Sequence, residues 1–476
     1  MKKALLWKLL ERFGVQGVQF ILQIILARLL SPEHYGVLAI MIIFTSLANV
    51  FIQSGFNTAL IQNKDVKEED FSSVLWVTLG IAGILYAVIF GAAPFIAQFY
   101  EMPQLVSPLR VLALMLFPGA LNSVQLAKVS REMDFKKVFY SNVGAILVSG
   151  IAGIVIALLG GGLWALVAQT MLNVFIASIV MQFTTKLKIY FKVNFIRVKI
   201  LFAYGWKLLV SGLIDTLYQD LQGLVIGKKY NSATLGFFNR GKQFPQFLMN
   251  SINGAVQSVM LPAMSEKQDE KVQLKALMRS SISISAYVVF PLMAGLAGVA
   301  TPLIKFLLTD TWLPCVPYLQ IYCFSFAFYP VHSCNLQAIN AIGRSDLFLK
   351  LEIIKKSYGL LALIIAVVFF ESPIAIAMTA AITGLIGFFV NAAPNKKLID
   401  YSYFEQVRDI LPSFLASIIM CAAVLALGVL NLNVFVTLII QVFVGVIVYF
   451  LISVIFKLKP FLMVVDLLKN LNKKTN

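Results

Sequence analysis

Apolar stretches of about 20 residues recur along the whole chain, separated by short polar joints, which is the length expected of helices that cross a bilayer. They fall near residues 7–30, 36–62, 71–97, 105–127, 139–160, 163–183, 203–226, 235–262, 277–300, 314–340, 350–370, 374–394, 409–430 and 434–456. Backbone polar groups must be satisfied internally within hydrocarbon, so runs of this length predict helices rather than a barrel. The expected fold is all-α: a polytopic membrane protein of about fourteen transmembrane helices.

Polar side chains interrupt this pattern in rows. On the stretch near 203–226, Ser211, Asp215, Gln219 and Gln222 follow one helical face, and on the next Arg240, Gln243, Gln246, Asn250, Asn253 and Gln257 recur every three or four residues. Arg12, Gln16, Gln19 and Gln23 make a row on the first stretch, and Thr45, Asn49, Gln53 and Asn57 on the second. The fifth, sixth, ninth, thirteenth and fourteenth have none. An ionisable side chain at the bilayer centre costs about 2.5–3.5 kcal/mol on insertion scales. Asp215 and Arg240 are therefore expected to face each other, water or a polar ligand. The rows together predict a hydrated, cationic cavity inside the bundle.

An internal repeat supports that arrangement. Pro118, Gln125 and Asp134 recur as Pro330, Gln337 and Asp346, and the turn from Ala27 to Gly36 aligns with that from Gly227 to Gly236, setting Arg28 opposite Lys228. Six helices per half, an even number, put both halves in one orientation, related by a pseudo-two-fold axis along the membrane normal. The expected organisation is an N-lobe over 1–184, a cytoplasmic linker over 185–202 and a C-lobe over 203–395. Two further helices and a basic tail occupy 396–476.

Composition agrees: 59% of residues are hydrophobic and 13% charged, against roughly half and a quarter in soluble domains. The formal charge of +17 would suggest nucleic acid in a soluble protein. Here the cations cluster in every second joint and at both termini, so topology and anionic lipid headgroups account for them, with no nucleic-acid partner. Both termini are expected in the cytoplasm. Cys315, Cys323, Cys334 and Cys421 have no metal-ligand or redox spacing and read as small core residues. The N-terminal segment does not read as a cleavable signal, because Glu11 and Arg12 interrupt it and its apolar run is too long.

Each polar residue has a plainer reading as well. Arg28 and Lys228 can cap helix C-termini, Arg12 can be a topology signal, Lys242 and Lys305 can snorkel to the interface. Asp215 is the candidate for ion coupling, with a structural ion pair as the alternative. Asp220, five residues on, lies on another face. His332 reads as a packing residue beside Pro330, and Pro118 and Pro330 are expected to kink their helices. No metal site and no catalytic constellation stands out: His34 and His332 are the two histidines, far apart in the chain.

The segments Ile25–Ile40 and Val225–Gln246, with the six-plus-six-plus-two layout, resemble bacterial polysaccharide flippases of the multidrug/oligosaccharidyl-lipid/polysaccharide (MOP) exporter superfamily, in the branch of colanic-acid and teichuronic-acid exporters. The resemblance implies two lobes around a cationic cavity in the bacterial cytoplasmic membrane. It further implies transfer of an undecaprenyl-diphosphate-linked oligosaccharide to the outer leaflet by alternating access, with no bond made or broken. No cofactor is implied beyond a proton or sodium gradient. The partners implied are the lipid-linked substrate, membrane lipids, a glycan polymerase and other export machinery. A cation-coupled drug or metabolite antiporter of the same superfamily is the nearest alternative; a membrane-embedded glycan polymerase or acyltransferase is a more distant one.

Overall fold

The computed structural model describes residues 14–53, 55–63, 65–191, 193–430, 432–463 and 465. Arg12, Lys64, Lys192 and the terminal lysines Lys2, Lys3, Lys8, Lys469, Lys473 and Lys474 lie outside the described residues. The described chain is helical throughout and divides into two compact units, 1–236 and 237–476.

The first unit contains α1 (Gln16–Leu29), α2 (Pro32–Gln53), α3 (Phe56–Gln62), α4 (Glu68–Tyr100), α5 (Val106–Leu112), α6 (Leu116–Glu132), α7 (Phe135–Leu158), α8 (Leu163–Thr185) and α9 (Phe195–Lys229). The expected second span is broken: Gly55, at φ 98°, separates α2 from α3. Only glycine takes that backbone conformation without strain. The fourth is likewise divided, by a 3-10 turn over Ala113–Met115, and Pro118 follows in the first turns of α6. Ser178 Oγ donates to the Pro118 carbonyl at 2.8 Å. α9 bends by 55° between Ala203 and Gly205. At that bend Gly205 meets Gly55 so closely that a Cβ on either would lie 2.6–2.7 Å from backbone atoms of the other.

The second unit contains most of α10 (Ser232–Glu266), then α11 (Lys271–Gly298), α12 (Ala300–Leu308), α13 (Val316–Ala327), α14 (Tyr329–Ala341), α15 (Ser345–Phe369), α16 (Pro373–Ala392), α17 (Asn395–Ile399), α18 (Tyr403–Leu427) and α19 (Val434–Ile455). Pro330 opens α14, so the expected tenth span is two helices, α13 and α14. The two C-terminal helices are tied in by polar contacts. Arg279 of α11 binds Asp409 of α18 at 2.6 Å. Tyr287 donates to Ser453 at 3.0 Å, and Tyr449 donates to the Tyr287 carbonyl at 2.9 Å. Four amide side chains, Asn335, Asn391, Asn395 and Gln406, are fully buried where α14, α16, α17 and α18 meet. Gln406 and Asn335 exchange bonds of 2.9 and 3.0 Å, and Asn395 donates to Asn335 Oδ1 at 2.7 Å.

Among the described residues nine helices are long and apolar enough to cross a membrane, ten if the bent α9 is one span. The remaining expected spans are the short α1, the polar α10, the divided α13–α14 and the charged α15. α1, α13 and α14 have 14, 12 and 13 residues, each too short to span the hydrocarbon core alone.

Candidate functional site: the polar rows

In the first unit α1 turns Leu22 and Leu26 into the core and leaves its glutamines outward: Gln16 and Gln23 are half-buried, Gln19 is exposed. Arg28, in the last turn, is also exposed. Leu22 seats against Gly150 of α7, where a Cβ would come within 2.4 Å of its side chain.

The row on α2 is less uniform than its spacing suggests. Thr45 is buried and donates to the Met41 carbonyl at 2.9 Å, so it satisfies itself within its own helix. Asn49 is half-buried beside Gly119, and its Oδ1 has no hydrogen-bond partner among the described residues. Gln53 is exposed at the end of α2. Asn57 belongs to α3, beyond the break at Gly55, and so leaves the helical row; its amide donates to the Ser123 carbonyl at 3.0 Å.

α9 packs on α2 through small residues: Gly223 faces Ile43, and a Cβ on Gly227 would stand 2.6 Å from Ile40 Cδ1. Along the row, Asp215 and Gln222 are half-buried and Gln219 is exposed. Lys228, expected as a cap or a substrate contact, pairs with Glu101 at 3.1 Å and lies 5.0 Å from the Phe99 ring. Its side chain remains 41% exposed, which makes this a weak surface pair. The first turn of α10 meets that of α2 reciprocally. A Cβ on Gly36 would lie 1.7 Å from the Ser232 carbonyl oxygen, and one on Gly236 would lie 2.1 Å from that of Pro32. These four residues are two pairs of repeat counterparts.

In the second unit α10 carries a buried arginine. Arg240 is 5% exposed; its Nη1 donates to Gln243 Oε1 at 2.8 Å, and its guanidinium carbon stands 5.2 Å from the Trp312 ring. Gly241 permits this approach, since a Cβ there would come within 2.6 Å of the Cys315 carbonyl. Lys242 lies 5.6 Å from the Tyr322 ring, within reach of a cation–π contact. Gln246 is half-buried and Asn250 exposed. Asn253 is 9% exposed, with an Oδ1 that has no partner among the described residues. Lys305 pairs with Asp310 at 3.1 Å. His332 is a packing residue, 3.2 Å from the Asn391 amide nitrogen.

Sequence spacing could not have shown which residues hold Arg240. Trp312 is 1% exposed and more than seventy positions away, with an apolar reading of its own. Nor did spacing expose the bidentate pair of Arg197 with Asp70, at 3.1 and 2.9 Å, because its members lie in different joints. A guanidinium can bond two oxygens of a phosphate or carboxylate at once. Amides that both donate and accept suit hydroxyls. Among the described residues no group of histidine, cysteine and carboxylate side chains could hold a metal.

A profile of a family described as "Polysaccharide biosynthesis protein" matches residues 25–317. The succinoglycan biosynthesis transport protein ExoT of Rhizobium meliloti is 22% identical over 338 residues, 71% of this chain and 68% of that protein. The teichuronic acid biosynthesis protein TuaB of Bacillus subtilis is 24% identical over 391 residues, 81% of this chain and 80% of its own length. Among solved structures, the lipid II flippase MurJ in an inward closed conformation superposes with a TM-score of 0.74 at 18% identity, over 95% of this chain and 98% of that one. An inward-facing multidrug resistance MATE family transporter of the MOP superfamily gives 0.62 at 16% identity, over 83% and 99%. At these identities the structures establish a shared fold.

Proposed function

The chain belongs to the polysaccharide biosynthesis protein family, and on that premise we propose that it is a flippase of the MOP superfamily rather than an enzyme. In this reading it carries an undecaprenyl-diphosphate-linked oligosaccharide unit from the cytoplasmic to the outer leaflet. The observation that carries the proposal is Arg240, buried, 5.2 Å from the Trp312 ring and bonded to Gln243 at the head of an amide row. A diphosphate needs a planar cation that binds two oxygens at once. The sugar head needs replacement for its water hydrogen bonds, each costly to lose in hydrocarbon. Arg240 is assigned to the diphosphate. The amides on α1, α2, α9 and α10 are assigned to the sugar, with Asp215 as the ion-coupling residue for a proton or sodium gradient. Translocation proceeds by alternating access in the bacterial cytoplasmic membrane, with both termini cytoplasmic and a glycan polymerase taking the product. ExoT and TuaB, named for succinoglycan transport and teichuronic acid synthesis, support this class of cargo. A drug antiporter shares the fold, but an organic-cation cavity would favour acidic and aromatic lining over a buried arginine.

The test is a strain lacking the protein. It should accumulate a lipid-linked oligosaccharide accessible only from inside, and the wild-type chain should clear it. Arg240→Ala should restore the protein to the membrane without clearing the intermediate, and Arg240→Lys should clear it slowly. Clearance by Arg240→Ala at the wild-type rate would remove Arg240 from the substrate path.

A further inference from the structure

The joint between α8 and α9 carries an outward face that translocation does not use. Its backbone is laced to the first turns of α4. Ser72 Oγ donates to the Lys188 carbonyl and accepts from the Tyr190 amide, both at 3.0 Å. Ser73 Oγ accepts from the Asn194 amide at 3.0 Å, and the Trp76 indole donates to the Tyr190 carbonyl at 2.9 Å. Arg197 completes the lacing on Asp70. Val198 and Leu201, three residues apart, are buried in a core with Leu60 and Leu75. The opposite arc of this short helical piece therefore presents Phe195, Ile196, Lys199 and Ile200 outward.

That face is large and apolar: Phe191 is 90% exposed, Phe195 73% and Ile196 76%. Lys186, Lys188 and Lys199 are exposed beside it, and none forms an ion pair among the described residues. A rigidly held segment with so much apolar surface is unsuited to water. Aromatic and aliphatic residues interleaved with lysines are the composition of a segment that lies in a membrane interface. Its position agrees. α4 has 33 residues, about 50 Å of helix, more than the roughly 30 Å hydrocarbon core, so its first turns reach the headgroups. α8 ends at Thr185, immediately before the joint.

We propose that residues 186–191 and 193–202 form a docking surface for anionic phospholipid headgroups. Phe191, Phe195 and Ile196 enter the acyl boundary, and Lys186, Lys188 and Lys199 meet the phosphates. The lacing transmits this attachment to the base of α9, the helix that carries Asp215. The surface stands on its own packing and charge, independent of what the polar rows transport. Each lysine near an anionic surface contributes roughly a fivefold preference, screened by salt.

The experiment places an environment-sensitive fluorophore at Phe191→Cys in the full chain carrying Cys421→Ala; the other three native cysteines are buried. The protein is reconstituted in phosphatidylcholine nanodiscs with or without phosphatidylglycerol, either lipid brominated in turn. A second label at Phe443→Cys, on an exposed apolar face of the span α19, reports bulk lipid and the integrity of the fold. The expected result at Phe191 is at least about twofold stronger quenching by brominated phosphatidylglycerol. That preference should be lost in Lys186→Gln/Lys188→Gln/Lys199→Gln and at high salt, with equal quenching by both lipids at Phe443. Equal quenching at Phe191 in the wild-type lysine background would overturn the headgroup preference. Quenching there by aqueous iodide and by neither lipid would overturn membrane docking altogether.

Discussion

The reciprocal glycine contact between the first turns of α2 and α10 makes a prediction that can be sized. In Gly36→Ala the new Cβ falls 1.7 Å from the Ser232 carbonyl oxygen, where ordinary contact begins at 3.4 Å. The two backbones must therefore part by roughly 1.7 Å. Neither atom is the end of a flexible side chain, so the strain cannot be relieved by a rotamer change. Overpacking costs typically 1–3 kcal/mol, and a backbone obstacle places this case near the top of that range, about 3 kcal/mol. For a unit of this size, 1 kcal/mol corresponds to about 2–4 °C, giving an expected fall in apparent Tm of about 6–12 °C. Gly236→Ala, at 2.1 Å from the Pro32 carbonyl oxygen, should fall slightly less. Because one separation of the helices relieves both clashes, the double variant should be less destabilised than the sum. Fluorescence-detected thermal unfolding of the detergent-solubilised protein measures all three. Single variants within about 2 °C of wild type, or a fully additive double, would refute the contact.

Three further outcomes separate structural from functional polar groups. Asn57→Ala removes the bond to the Ser123 carbonyl and should cost about 1 kcal/mol of stability while leaving transport intact once folded; a transport defect at normal thermal stability would return Asn57 to the substrate path. Arg197→Gln leaves the Asp70 carboxylate, whose side chain is only 5% exposed, with the Lys67 amide and no cation, and should destabilise by about 2 kcal/mol, with Asp70→Asn in the same chain recovering part of the loss. No recovery in that double variant, measured by thermal unfolding, would show that the pair is not what holds the joint. Asp215→Asn should abolish the response of proteoliposome transport to an imposed proton or sodium gradient; a response equal to wild type to both would exclude Asp215 from coupling.

Much of the architecture is one-dimensional information. A helix that must meet hydrocarbon advertises its length and apolarity residue by residue, so the helical class and the approximate spans follow from the sequence alone. The repeat is legible for the same reason: Pro32, Gly36, Ser232 and Gly236 stand at matching places in two aligned turns, and Pro118 and Pro330 both fall in the first turn of a helix. The rows of amides on α1, α9 and α10 are visible as a helical period. What period cannot supply is the partner of each polar group. Thr45 turns back on its own helix, Asn57 is spent on Ser123, Lys228 meets Glu101, and Arg240 is set by an indole distant in sequence. Those outcomes depend on which helices touch, through glycine-sized approaches at Gly55, Gly205 and Gly241 and through ring stacking. Such contacts join residues remote along the chain, and their energy exists only once the backbone has brought them together.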